Sequence, residues 1–125
     1  MLRRCAMILA LTLFLAPGAG ALAAGQTAAS SDATLTGEVV DMACYIGHGA
    51  KGEMHKACAA KCAAMGQPVG LLSSDGTLYL LVADHVDSGA YEKARKLAGE
   101  QVEMKGEVAA KDGVNALTVH DVKKK

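Results

Sequence analysis

Four residues in one short stretch carry the reactive chemistry of this chain: Cys44, then His55, Cys58 and Cys62 within His55-Lys56-Ala57-Cys58-Ala59-Ala60-Lys61-Cys62. At about 100° per residue, positions 55, 58 and 62 fall on one helical face, within roughly 60° of one another. Cys44 closes an alternating, strand-like run and would tie that helix to the strand. Thiolate is the form of cysteine that binds metal, and soft sulfur favours Zn²⁺ or Cu⁺. Three cysteines and one histidine would complete a four-coordinate zinc shell. Lys56 and Lys61 would favour thiolates nearby. The two-residue cysteine spacing of zinc ribbons is absent.

The same thiols support two other readings. Three cannot all pair with one another in an oxidising compartment, so one is free, bridges to another molecule or binds something. A disulfide from Cys44 to Cys58 or Cys62 would pin helix to strand and leave a spare thiol for a partner. Cys58 and Cys62 lie about 6 Å apart at Cα on an ideal helix, with nearly parallel Cβ vectors, which disfavours that pair. Thiol redox chemistry is the third reading. There is no Cys-x-x-Cys-His for covalent haem and no Cys-x-x-Cys dithiol.

Neighbouring residues have ordinary roles beside the reactive ones. Met42, Met54 and Met65 could donate thioethers to Cu⁺, but packing is the usual work of methionine. His48, in a glycine-rich loop, reads as solvated, although it could substitute for His55. Asp41 either orients a ligand from outside the coordination shell or simply ends a strand. His85 and His120 read as surface residues.

An oxidising compartment is expected from the first residues. Arg3 and Arg4 precede an apolar run from Cys5 to Ala16, too short to span a bilayer, and small residues follow at Ala21-Leu22-Ala23-Ala24. Residues 1–24 therefore read as a signal peptide, cut after Ala23 or Ala24, that removes Cys5. The destination is the periplasm or the exterior, with no transmembrane segment left after cleavage. The remaining chain of about 100 residues is enough for one small domain. Residues 25–33 read as a disordered lead-in, 34–122 as the domain, with the Cys/His insertion at 44–66, and 123–125 as a solvated basic tail.

The elements that must position the thiols follow from patterning. Thr34 to Ala43 reads as a strand, Gly47, Gly49 and Gly52 as a flexible segment, and Glu53 to Met65 as a helix stopped by Gly66 and Pro68. Val69 to Leu72 and Thr77 to Ala83 form a hairpin about Asp75-Gly76. Ser88 starts a second helix that Gly99 ends. Gln101 to Ala110 alternates cleanly, with Val102, Met104, Gly106 and Val108 on one face. Asp112-Gly113 turns the chain into a last strand, Asn115 to Val122.

Without the insertion this is the order of a five-stranded OB-type barrel, with a helix between strands three and four. Gly99-Glu100-Gln101-Val102-Glu103-Met104-Lys105-Gly106-Glu107-Val108 resembles the fourth strand of small secreted bacterial OB-fold proteins, and Thr36-Gly37-Glu38-Val39-Val40-Asp41 resembles their first. The resemblance covers most of the mature chain and implies a mainly β fold with two helices. The Cys/His insertion departs from the plain form of that group and looks like a subgroup pattern, so the resemblance implies no function for it.

The chemistry excluded by composition narrows the function. After signal removal the chain carries a slight excess of acid, three tyrosines and no tryptophan. A basic groove with stacking aromatics, as single-stranded nucleic acid requires, is missing. No nucleophile-base-acid spacing and no P-loop pattern is present. The expectation is a non-enzymatic, exported protein that binds Zn or Cu through Cys44, His55, Cys58 and Cys62. The alternatives are a disulfide-stabilised interaction module with an envelope protein as partner, or a thiol redox protein.

Overall fold

The computed structural model describes residues 29–125. The expected signal peptide and its cleavage site lie outside the described residues. The order is β1 (Ser31–Asp41), α1 (Met42–His48), a 3₁₀ turn (Glu53–His55), α2 (Lys56–Ala64), β2 (Val69–Ser73), β3 (Leu78–Ala83), α3 (Gly89–Lys96), β4 (Gln101–Lys111) and β5 (Val114–Lys124). The strands close a barrel in the order β1-β2-β3-β5-β4. All neighbours are antiparallel except β3 and β5. The architecture is the expected OB-like barrel with a helical insertion between its first two strands. It holds three helices among the described residues rather than two, because the insertion contains α1 as well as α2.

Alternation builds the core. Val102, Met104 and Gly106 of β4 point inward, against Val39, Val69, Leu71, Leu81, Leu117, Val119 and Val122. Ala59 and Ala63 of α2, with Ala94 and Ala98 at α3, complete the cluster. Small alanines let both helices approach the barrel closely. At Gly106 the β4–β5 register shifts, and a Cβ there would collide with the backbone of Thr118. That close approach requires glycine.

Both ends of the domain differ from expectation. Residues Ser31 to Ala33, expected in a disordered lead-in, pair with Val108, Glu107 and Gly106. Barrel closure supplies the partners that a polar, small-residue segment cannot find locally. The basic tail likewise belongs to β5 as far as Lys124: Val102 pairs with Lys124 and Glu103 with Lys123. Lys124 Nζ lies 3.0 Å from a carboxylate oxygen of Glu100. No described helix is long and apolar enough to cross a membrane.

Candidate metal centre

The insertion begins with a helix cap. β1 ends at Asp41, whose carboxylate accepts from the backbone N–H groups of Ala43 (3.2 Å) and Cys44 (3.3 Å), starting α1. Cys44 is therefore in the first turn of a helix, not at the end of the strand as expected. The tether between barrel and insertion is Asp41, which pairs with Val69 across β1–β2 and is almost wholly buried. Gly49, in the left-handed conformation at φ 66°, stops α1, its N–H donating to Tyr45 (2.8 Å). The segment expected to be flexible is thus ordered. Glu38 of β1 accepts from Gly52 N–H at 2.7 Å, which holds the next loop against the barrel.

His55 ends the 3₁₀ turn and α2 starts at Lys56. The buried Ala59 and Ala63 face the core, so the positions between them turn toward α1 and solvent. Two anchors hold α2. Lys56 Nζ lies 3.0 Å from Glu100. At the other end, Arg95 of α3 donates to the carbonyl of Ala63 at 2.6 Å, capping the exposed carbonyl end.

This framework brings all four expected ligands together, but as two overlapping groups. Ligand atoms of Cys44, His55 and Cys58 all lie within 4.8 Å of one another, and so do those of Asp41, Cys44 and Cys62. Cys44 belongs to both. The helical phase of 55, 58 and 62 is sufficient to place three side chains toward it. Asp41 is the addition: it serves as helix cap and as an oxygen donor beside the sulfurs. Its signal in the sequence is an Asp preceding a short run that contains no proline, the usual start of a helix. Such groups of sulfur, nitrogen and oxygen donors are able to hold a metal ion.

The remaining candidates fall outside. His48 is exposed at the end of α1. His120 Nε2 lies 3.4 Å from Asp84, and His85 is exposed, so both are surface residues as expected. Met42 packs against Gly70. Met54 and Met65, by contrast, are exposed and do not pack in the core.

The electrostatics favour a cation. Burial by itself would raise the Asp41 carboxyl, but hydrogen bonds from the thiol and N–H of Cys44, from Ala43 N–H and from the Cys62 thiol outweigh it and hold the group below its usual value. The Cys44 thiol is pushed up to about 12, first by its hydrogen bond to Asp41, then by desolvation and the negative charge nearby. Cys62 is raised by desolvation, by its hydrogen bond with Cys58 and by the Asp41 charge. In this state Cys44 and Cys62 keep their protons, in part because the Asp41 carboxylate faces them. A bound cation would reverse that balance and favour the thiolates. Nε2 of His55 is shielded from solvent with no hydrogen-bond partner. A buried imidazole nitrogen without a partner is costly, and coordination would satisfy it. The donor set therefore fits a soft cation.

The thiols stand free in the structure, Cys58 exposed and Cys44 and Cys62 half-buried. Their unequal surroundings set an order of reactivity. In the metal-free protein, iodoacetamide at pH 8 should modify Cys58 first and Cys44 last. A thiol titrating near 12 is thiolate in about one molecule in ten thousand at that pH. Peptide mapping over time would read the order, and equal rates at the two positions would contradict it. Raising the pH toward 12 should bring the Cys44 rate up.

No protein-family model, no curated protein and no solved structure matches this chain, so the chemistry of the centre rests on its own geometry.

Proposed function

We propose that this chain is an exported, non-enzymatic metal-binding protein whose insertion holds one soft d¹⁰ cation, Zn²⁺ or Cu⁺. The observation that carries the reading is the convergence of Cys44, His55 and Cys58, with Asp41 and Cys62 directly behind the shared sulfur. The basic pair and short apolar run at the start of the sequence support export. The barrel supports the centre by fixing Asp41 from one strand and α2 from two other elements. No second constellation of comparable donor strength occurs among the described residues.

Protein recovered from the envelope and purified without chelators should carry about one Zn or Cu per chain, measured by elemental analysis. Three thiols should become titratable once the metal is stripped. The Cys44 sulfur also lies within 4.8 Å of both Cys58 and Cys62, which keeps a disulfide as the second reading. Finding no stoichiometric metal, one reactive thiol and a two-proton mass increase on reduction would replace the metal reading with an interaction module.

A further inference from the structure

The centre is closed on the barrel side and open on the other. Asp41 is buried and Cys44 and Cys62 are half-buried, whereas Cys58 is exposed. The five donors resolve into two triads rather than one mutually close four-ligand shell. Structural zinc sites are tetrahedral and closed. The outer triad, one nitrogen and two sulfurs, is instead a complete set for a three-coordinate soft ion.

The methionines carry the second, independent observation. Met54 directly precedes His55, and Met65 follows Cys62 by three residues, so thioethers stand at both ends of the ligand-bearing segment. Met42 packs against the barrel, but Met54 is fully exposed and Met65 largely so. Packing therefore accounts for one of the three. A thioether is a soft, neutral donor with no proton to lose, a ligand suited to Cu⁺ and poor for Zn²⁺.

We propose that the centre is a Cu⁺ exchange site: Cys44, His55 and Cys58 hold the ion, and it passes to or from a sulfur ligand of a partner protein at the exposed Cys58, with the exposed Met54 and Met65 flanking the ligand-bearing segment along the chain. This rests on the metal-binding reading above. The step is a ligand substitution. The partner's thiol loses its proton as its sulfur bonds to copper, the bond from copper to Cys58 Sγ breaks, and the Cys58 thiolate takes up that proton. Copper stays monovalent and no electron moves. The thioethers assist by binding the ion transiently while Cys58 departs.

The test uses the full exported chain loaded anaerobically with one equivalent of Cu⁺, with bicinchoninate as the acceptor. Three results are expected. An equivalent of Zn²⁺ does not displace the copper. Cys58→Ser lowers Cu⁺ affinity by at least about tenfold. The Met54→Leu/Met65→Leu variant, altered only at exposed positions, releases copper to bicinchoninate severalfold more slowly in stopped-flow mixing while its equilibrium affinity is unchanged. Displacement of copper by equimolar Zn²⁺, or a wild-type transfer rate in the methionine variant, would overturn the exchange proposal and leave metal binding standing. Failure to hold either ion would overturn both.

Discussion

Replacing Cys44 with serine should weaken metal binding roughly 100-fold or more, and the same change at Cys58 or Cys62 should weaken it less. Cys44 is the one side chain common to both triads. Without it, one remnant is His55 with Cys58 and the other is Asp41 with Cys62, and neither pair forms a soft three-ligand site. Loss of a partner outside the coordination shell already costs about 10- to 100-fold in affinity, so loss of the shared ligand should cost roughly 100-fold or more. The fold should survive. Cys44 is half-buried in the first turn of a seven-residue helix, and a serine hydroxyl can still donate to Asp41. Competition titration with a chromophoric chelator reads the affinity, and far-ultraviolet circular dichroism checks the fold. If Cys44→Ser binds as tightly as wild type while Cys62→Ser does not, the ion sits elsewhere in the insertion.

The second large effect is on stability and reaches the centre through the backbone. Gly99→Val should destabilise the domain by about 2 to 5 kcal/mol. The left-handed conformation of Gly99, φ 82°, costs a residue with a side chain about 1 to 2 kcal/mol. In addition, a Cβ at Gly99 would stand 2.7 Å from the Lys56 Cα. Overpacking of that kind costs about 1 to 3 kcal/mol. The position cannot simply move away, because Gly99 N–H donates to Val39 at 2.7 Å and the Glu100 carbonyl accepts from Val39 N–H at 3.0 Å. The part that must yield is α2, which starts at Lys56 and follows His55 directly. Urea denaturation should show a lowered midpoint, and metal affinity should fall in the same variant as α2 is pushed outward. Gly99→Ala should show a smaller version of both changes. A valine variant with wild-type midpoint and affinity would mean that α2 and the barrel are not coupled at this contact.

Residues with a local signature are legible in the amino-acid pattern alone. The alternation from Gln101 to Ala110 marks β4 because a half-buried strand must repeat every two residues. The Asp75-Gly76 pair marks the β2–β3 turn, and Gly66 marks the end of α2 because a left-handed residue, φ 94°, stops a helix there. The spacing of His55, Cys58 and Cys62 places three candidate ligands on one side because helical phase is a local property. Element order is enough to suggest the barrel.

The features that escape such reading depend on contacts distant in sequence. α1 is seven residues long, contains Gly47 and buries none of its side chains, so it has no apolar stripe to read. It is held by the Asp41 cap, by Met42 N–H donating to Pro68 at 3.0 Å, and by Glu38 on the loop that follows. Lys123 and Lys124 look like a solvated tail until β4 and Glu100 are placed beside them.

The order of the strands along the chain, the inserted helix and the choice of four candidate ligands all follow from periodicity, turn chemistry and residue type. Three further facts come from the packed fold: Cys44 is shared by two groups, Asp41 stands beside the Cys44 and Cys62 sulfurs, and Cys58 and two thioethers are exposed. They depend on where β1 ends and on how α2 is held between Glu100 and Arg95. Barrel closure sets both, and no local pattern contains it.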